Sequence, residues 1–377
     1  MSATVVLAVP VERSPAAASA QESANFVRQV HTVVKDLLAV RAHRYWADFL
    51  VTITIAHSSF VLYILAAPYS IEQGAALVVS SLAMYRAVVF THEIAHRRSG
   101  TFAAFAFVWN VLCGIPFLVP SFLYRDHNGH HANQLYGTWA DPEYILRSER
   151  WRVRVVVFLL LPLVYPVFSV VRFLLLTPLA IVSRRLDSLV WTYASSLYVM
   201  NESYRRGRDA AASSPSRWLQ EIACSAWAWS LASLFLTGWL PLAIAGRTYV
   251  VFLLWIGLNQ LRTLGAHRYG NQPDRSVSYL EQLLDTNTFP RGRWMPELWG
   301  PVGLRYHALH HLLPKMPYHA LPEAHARLMS QLPAGSPYHR TLRRGLWSVL
   351  TATLRGRDLP PSSPSVSTLT ADRPGSR

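Results

Sequence analysis

The chain has 377 residues, 51% of them hydrophobic, and a mean hydropathy of +0.18. Long apolar runs at this hydropathy predict an integral membrane protein rather than a soluble domain. The net charge of +15 comes from arginines beside the apolar runs, which favours anionic lipid and argues against nucleic acid as a partner. Cys113 and Cys224 are the only cysteines, which excludes a disulfide framework, a Cys-rich zinc site and an iron–sulfur cluster.

The two ends of the chain have the composition of disordered tails. Residues 1–24 are rich in Ala, Ser and Pro without periodicity, and residues 355–377 are rich in Pro and Ser. From Phe26 to Leu38 apolar residues recur at helical spacing, which predicts a helix lying at the membrane interface or packed on the core. The expected folded unit is one membrane domain over residues 25–354.

The first predicted hairpin consists of the apolar stretches 49–67 and 71–91. Each is about long enough to cross a hydrocarbon core of roughly 30 Å, and Pro68 lies in the turn between them. Arginines precede and follow the pair, whereas the turn has no basic residue. This distribution predicts that both ends of the hairpin are cytoplasmic.

Two apolar segments that contain prolines are not expected to cross the membrane simply. Residues 102–124 include one glycine and two prolines, so we expect a kinked helix that lies in the interface or enters the bilayer partway. Residues 153–182 contain three prolines and the internal Arg172. For this segment a re-entrant or interfacial pair is favoured over a true hairpin.

The second predicted hairpin follows an arginine- and serine-rich connection over 186–218, which we expect in the cytoplasm. Its apolar stretches are 222–244 and 249–264, with the turn at Gly246-Arg247-Thr248. His267 then lies at the cytoplasmic exit. The sequence thus predicts an all-α membrane fold with about four transmembrane helices in two hairpins, interfacial helices and a cytoplasmic cap.

Histidines form three clusters with helical spacing. His92-Glu-Ile-Ala-His96 has i, i+4 spacing, whereas His127-Asn-Gly-His130-His131 and His307-Ala-Leu-His310-His311 have i, i+3, i+4 spacing. Such positions share one helix face, so the imidazoles of a cluster point to one place. On the predicted topology all of them reach one membrane face. Together with His267, nine imidazoles exceed what one ion accepts, which implies two ions of iron, zinc, copper or nickel. The candidate ligands are His92, His96, His127, His130, His131, His267, His307, His310 and His311.

With these clusters the chain resembles the membrane fatty acid desaturase superfamily, whose histidine boxes occur in the order H-x-x-x-H, H-x-x-H-H and H-x-x-H-H. The resemblance extends over about residues 47–329 and is most specific over 307–321. It implies four spanning helices and a di-iron centre (Fe²⁺/Fe³⁺) that uses dioxygen as co-substrate and two electrons. The nine histidines would be the iron ligands, with no catalytic residue beyond them.

The chain departs from the family pattern at two places. Thr263 lies four positions before His267, where some acyl-CoA desaturases carry an Asn that supports a bound water. The first box reads H-E-x-x-H, a form equally typical of related hydroxylases. The interpretation is an oxygen-dependent desaturase that introduces a double bond into a fatty acyl chain of a lipid or acyl thioester. A lipid or carotenoid hydroxylase or ketolase is the alternative. A separate electron donor of ferredoxin or cytochrome b5 type is expected.

Other readings explain fewer residues. The first box alone would indicate an intramembrane zinc protease with Glu93 as general base, but seven histidines would then have no role, and a non-catalytic scaffold leaves all nine unexplained.

One carboxylate near the second box should receive the free N–H of a ligating imidazole; the candidates are Asp126, Asp141 and Glu143. Aromatic residues there line a substrate passage or form an interface belt: Trp109, Tyr124, Tyr136, Trp139 and Tyr144. Six histidines are expected to be structural or at the surface: His31, His43, His57, His319, His325 and His339.

Overall fold

The computed structural model describes residues 15–97, 101–197, 199–292 and 294–356, and over these ranges the chain is helical without a β-strand. The predicted all-α class is confirmed. The part of the chain that the structure describes contains four helices that are long and apolar enough to cross a membrane, as in an integral membrane protein: Ala42–Leu65, Ile71–His96, Tyr165–Val182 and Leu242–Ala266.

The first hairpin is formed as predicted and follows an N-terminal helix. Its helices are α2 (Ala42–Leu65) and α3 (Ile71–His96), preceded by α1 (Pro15–Val34). The Ser70 side chain caps α3 by accepting a hydrogen bond from the Gln73 backbone N–H at 3.1 Å. Of the most apolar segment of α3, 61% is buried inside the protein, against 28% for α2. The last turn of α3 therefore delivers its histidines into the protein interior.

Helix α1 differs from the tail that we expected over residues 1–24. It begins at Pro15, so the expectation of disorder is wrong for residues 15–24, an alanine-rich stretch with high helix propensity. Phe26, Val30 and Val34 are buried in the main core, so the apolar face of this helix packs on the core, which is the second of the two predicted alternatives. The tail predictions for 1–14 and 357–377 lie outside the described residues.

The apolar segment 102–124 is kinked, as expected, and does not run straight through. Helix α4 (Thr101–Trp109) continues as the π-helical turn Asn110–Gly114, and a short 3-10 turn at Ser121–Tyr124 precedes α5 (His127–His130). The Asn110 side-chain oxygen accepts the Ser121 backbone N–H at 2.9 Å and holds the bend. The chain thereby returns to the end of α3 that carries the first histidine box.

The segment 153–182 differs from the re-entrant pair that we favoured. Helix α6 (Trp151–Leu160) is short, and α7 (Tyr165–Val171) joins α8 (Thr177–Val182) through a π-helical turn. Together α7 and α8 make a helix of transmembrane length. Pro162 and Pro166 lie between α6 and α7 or in the first turn of α7, where the missing N–H is not needed. Pro178 lies inside the α7–α8 helix, just after its π-helical turn at Arg172–Leu176, and does not end the helix as we assumed. Helix α9 (Arg184–Ala194) follows.

The second predicted hairpin is not formed as expected: of its two stretches, only the second lies in a helix that is long and apolar enough to cross a membrane, among the residues that the structure describes. Helix α10 (Pro215–Leu236) ends before residue 244, and α11 (Leu242–Ala266) contains Gly246-Arg247-Thr248 within it. The helix stop is Gly238, whose φ of 77° suits a residue without a side chain, and Pro241 precedes α11. The predicted runs 222–244 and 249–264 are therefore corrected to these bounds.

Residues after α11 form a cap of short helices at the histidine-bearing ends of α3 and α11. Gly303 adopts a φ of +75°, and a Cβ there would lie 2.5 Å from Leu321 Cδ1, so only glycine fits the turn before the third box. The cap helices are α12 (Tyr279–Leu284), α13 (Met295–Trp299), α14 (His307–Leu312), α15 (Leu321–Gln331) and α16 (Leu346–Arg355).

Candidate metal centre

Four separate segments supply the nine histidines. His92 and His96 occupy the last turn of α3, the second box forms α5 and the residue after it, and the third box begins α14. His267 is the first residue beyond α11, where the backbone becomes extended and bridges to Thr286. Helix ends and short helices thus aim the imidazoles at one region from different directions.

The structure brings all nine candidate ligands together in two adjacent clusters. Within each cluster one ring nitrogen per histidine lies within 4.8 Å of the others. The ring centroids of His131 and His311, which belong to different clusters, are 4.2 Å apart. One cluster contains His92, His96, His127, His131 and His310, and the other contains His130, His267, His307 and His311.

The chemistry of this donor set fits metal ions. Nε2 of His131 lies 2.9 Å from Nε2 of His127 and 3.1 Å from Nε2 of His310, and His307 Nε2 lies 2.9 Å from Nε2 of His267. Neutral imidazole has one donor and one acceptor, so this many converging nitrogens cannot all satisfy one another. Cations at the two centres would satisfy them, and nitrogen ligands without thiolate suit iron and other borderline metals.

Burial keeps most of these imidazoles neutral, which is the form that binds metal. Desolvation first, and neighbouring histidines second, hold the pKa below its usual range at six positions outside the spanning helices: His127, His131, His267, His307, His310 and His311. At His130 burial also acts to lower the pKa, but the Asp141 carboxylate opposes it and the pKa is raised.

Carboxylates contact the second box from behind. Asp141 Oδ2 lies 2.9 Å from Nδ1 of His130, and Glu143 Oε1 lies 2.9 Å from Nδ1 of His127. Such contacts fix the ring orientation and leave Nε2 for the centre. Burial raises the pKa of Glu143 to about 7. Two of the three candidate carboxylates thus have the predicted contact, whereas Asp126 forms an ion pair with Arg206 at 3.0 Å.

Three more residues support the four-histidine cluster in a way that the sequence did not indicate. Gln282 Nε2 lies 3.0 Å from Nδ1 of His311, and the Tyr136 hydroxyl lies 2.8 Å from Nδ1 of His267. Tyr136 and Tyr144 both donate to the Asp285 carboxylate, at 2.8 and 2.7 Å. Tyr136 was proposed only as a passage or belt residue. Gln282 and Asp285 have no histidine at motif spacing, so only the folded chain reveals them.

The remaining aromatic candidates have different environments. Tyr124 stacks on His127 with ring centroids 4.7 Å apart and donates to Glu143. Trp109 is fully buried and donates to the Ala87 carbonyl, so it belongs to the core. Trp139 is 46% exposed and donates to Asp274 at 2.7 Å. Only Tyr124 of these three lies beside the clusters.

The first box is not arranged as an isolated protease site. Glu93 accepts a hydrogen bond from the Tyr45 hydroxyl and forms an ion pair with Arg97 at 3.5 Å. Both histidines of the box share their cluster with three others. A zinc protease needs its glutamate free to activate water beside a three-ligand ion, which this geometry does not provide.

The six histidines expected to be structural lie outside both clusters. His57, inside α2, contacts the Leu112 carbonyl oxygen at 2.9 Å through Nε2. His319 Nε2 accepts the Arg41 backbone N–H at 3.3 Å, and His325 contacts the Tyr338 hydroxyl at 2.7 Å. The other three are exposed or half-buried: His31, His43 and His339. A structural or surface role fits each of them.

Comparison with known proteins agrees with this site. The family model described as fatty acid desaturase matches residues 73–342, a range that includes all nine histidines. A protein of Caulobacter vibrioides (strain NA1000 / CB15N) named ceramide hydroxylase is 36% identical over 332 residues, which cover 86% of this chain and 92% of that protein.

Proposed function

The chain belongs to the fatty acid desaturase family, and from this premise we propose that this membrane oxidoreductase is an oxygen-dependent di-iron enzyme that hydroxylates a ceramide-type lipid. Its similarity to a ceramide hydroxylase extends over 86% of the chain and supports hydroxylation. Hydroxylation therefore takes precedence over the desaturation expected from the sequence. Desaturation of a lipid acyl chain is the second candidate, because the same family model covers it.

The observation that carries the proposal is the division of nine imidazoles into clusters of five and four. Each cluster offers enough nitrogens for one ion, and their closeness suits a pair of ions that act on one substrate. The proposed ligands are the histidines predicted from the boxes, with His267 completing the smaller cluster. Their nitrogen chemistry and the family both favour iron.

When bound, the irons would supply dioxygen activation and electron transfer. In hydroxylation one oxygen atom replaces a hydrogen of the lipid as a hydroxyl group, and the other leaves as water. Two electrons from a donor and two protons complete the balance. Desaturation uses the same inputs but removes two hydrogens and releases both oxygen atoms as water.

The chain's own residues position the ligands and exclude water. Eight of the nine histidines are buried, and α14 is buried along its whole length. Asp141 and Glu143 hold the second box from behind, and Gln282 does the same for His311. A rigid, water-poor site favours oxidation of the bound lipid over loss of reactive species to solvent.

The electrons are proposed to come from a separate ferredoxin- or cytochrome b5-type protein. We propose that the donor acts from the cytoplasm, because the arginine distribution predicts that the histidine boxes and both termini lie on that side.

The proposed function is tested by lipid analysis under isotopically heavy dioxygen. Cells that express the wild-type protein should contain a ceramide-type lipid that has gained one labelled oxygen atom. Cells that express His310→Ala should lack it, while the variant remains in the membrane. An unlabelled product that lacks two hydrogens would show that the enzyme desaturates its lipid substrate instead of hydroxylating it. An undiminished product from His310→Ala would contradict the assigned centre.

A further inference from the structure

A small cavity lies beside the five-histidine cluster, between α3 and α11. It has a volume of about 20 Å³ and is bordered by Val88 and His92 from α3 and by Asn259 and Arg262 from α11, with Leu304 from the cap. We refer to it as the His92 cavity. Its volume suits one small polar group, because a single water needs a similar space.

Besides the two ring nitrogens of His92, which belong to the candidate metal centre, four polar atoms on residues that border the His92 cavity have no hydrogen-bond partner within the described chain: Thr91 Oγ1, Trp255 Nε1, Asn259 Nδ2 and Arg262 Nε. Their residues are between 2% and 8% exposed. Buried polar groups in folded proteins are nearly always paired, so four unpaired groups at one small cavity indicate a missing ligand. Three of the four can only donate, and the threonine hydroxyl can also donate. The missing ligand is therefore an acceptor.

Arg262 differs from the other buried arginines. Arg172, Arg206, Arg217 and Arg305 each form an ion pair with a carboxylate. Over the described ranges Arg262 has no such pair, and its guanidinium donates to Asn259 Oδ1 at 3.1 Å. Burying a guanidinium without a strong acceptor is costly. Its position beside His92 therefore suits an oxygen of the bound substrate.

A second cavity shares Trp255 with the His92 cavity. This cavity is larger, about 40 Å³, and its other lining residues include Leu118 and Phe168. A mid-chain methylene at the metal centre would have only carbon neighbours and would leave the four donors unpaired. If the carbon at the metal centre lies close to a polar head group, an oxygen of that head group can accept hydrogen bonds from these donors.

We propose that the His92 cavity binds a hydroxyl or amide oxygen of the lipid head group, so that the oxidised carbon lies within a few bonds of that oxygen. Arg262, Asn259, Trp255 and Thr91 are then specificity-determining residues. This inference rests on the proposed function for the presence of a lipid substrate. Beyond that function, it identifies the head group as the part of the lipid that lies beside the metal centre.

The test compares four lipids on the iron-loaded, full-length protein. They are a dihydroceramide, two analogues that each lack one hydroxyl group, and one in which sulfur replaces the amide oxygen. For the analogue that has lost the recognised oxygen, wild-type kcat/KM should fall about 10- to 100-fold. Arg262→Met should cause a similar loss on the intact lipid but little further loss on that analogue.

Two further variants control for structural effects. Thr91→Val removes a hydroxyl without changing shape, and it should lower kcat/KM severalfold only on the lipids that retain the recognised oxygen, with unchanged thermal stability and iron content. Arg247→Met removes an arginine from the other end of α11, where it contacts the Ile64 carbonyl, and it should leave the selectivity among the lipids unchanged. Binding of the intact lipid, measured by competition in detergent, should weaken in Arg262→Met and not in Arg247→Met.

Several outcomes would overturn the inference. If Arg262→Met and Thr91→Val lower kcat/KM equally on all four lipids, the cavity holds a water or serves the fold. If the wild type binds none of the four lipids and oxidises mid-chain acyl methylenes independently of Arg262, the head group does not lie at the cavity. The proposed function fails separately, when the wild type binds the lipids with the expected selectivity but forms no hydroxylated product.

Discussion

Replacing Asp141 with asparagine tests whether the carboxylates behind the second box hold the metal centre. Asp141 is fully buried, and its two oxygens lie 3.0 and 2.9 Å from Nδ1 of His130. It also accepts the backbone N–H groups of Gly137 at 2.7 Å and Glu143 at 2.9 Å. Asparagine keeps the shape, but its amide nitrogen cannot accept, so Gly137 or Glu143 loses its acceptor. His130 then faces one neutral amide oxygen in place of a carboxylate, which holds its N–H more weakly.

The expected loss follows from the role of such contacts in metal sites. Removing a partner behind a ligating histidine typically costs about 10- to 100-fold in metal affinity or activity, or about 1.4 to 2.8 kcal/mol. The iron affinity of Asp141→Asn should fall by this factor, as measured by chelator competition on purified protein, with lipid oxidation falling in parallel. Iron should be normalised to folded protein, because the lost hydrogen bond also lowers stability.

Asp126→Asn is the matched control. Asp126 lies in the same segment and is partly buried, but it contacts Arg206 at 3.0 Å and the Tyr204 hydroxyl at 2.7 Å, and no histidine. This variant should lose stability, because Arg206 is left without its charge partner, yet bind iron as the wild type does once folded. Wild-type iron affinity in Asp141→Asn, or equal losses in both variants, would refute the reasoning.

Three further predictions concern the ligands, pH and topology. His267→Ala should lose about one of the two irons and its activity, whereas His339→Ala should retain both irons and activity, since His339 lies outside the clusters. Burial lowers the pKa of histidines such as His127 and His311, so the folded metal-free protein binds fewer protons than the unfolded chain. Its free energy of unfolding, measured by denaturation in detergent, should therefore fall as pH drops below the usual histidine pKa of about 6.5. Reporter fusions after residues 150 and 300 should report cytoplasm, and one near Pro68 the opposite side.

Each of these predictions has a contradicting result. Full iron and activity in His267→Ala would limit the site to eight histidines. Stability that rises on acidification from about pH 7 would mean that the imidazoles are charged in the folded state. Reporters on opposite sides after residues 150 and 300 would place the second and third boxes across the membrane from each other, which a shared centre does not allow.

The boxes could be predicted from the sequence because their information is local. Spacings of three and four residues place imidazoles on one helix face whatever the surrounding fold. His267 required more, because its place depends on where α11 ends. The contacts of Gln282 with His311 and of Asp285 with Tyr136 join residues far apart in the chain, and no local pattern indicates them.

Helix boundaries were less predictable for a physical reason. Prolines in the segment 153–182 suggested interruptions, yet Pro166 lies in the first turn of α7, where it is tolerated, and Pro178 follows the π-helical turn inside the α7–α8 helix. Gly246 suggested a turn, but Gly238 is the glycine with positive φ that ends the preceding helix. Composition alone does not determine which proline or glycine interrupts a helix, because the position within the turn decides it.

Metal analysis of the purified protein tests the central claim most directly. Since the five- and four-histidine clusters each offer one site, the wild-type protein should bind about two irons per chain. His307→Ala, in the smaller cluster, should retain about one. A single zinc per chain, with no iron bound after reconstitution, would contradict the di-iron centre.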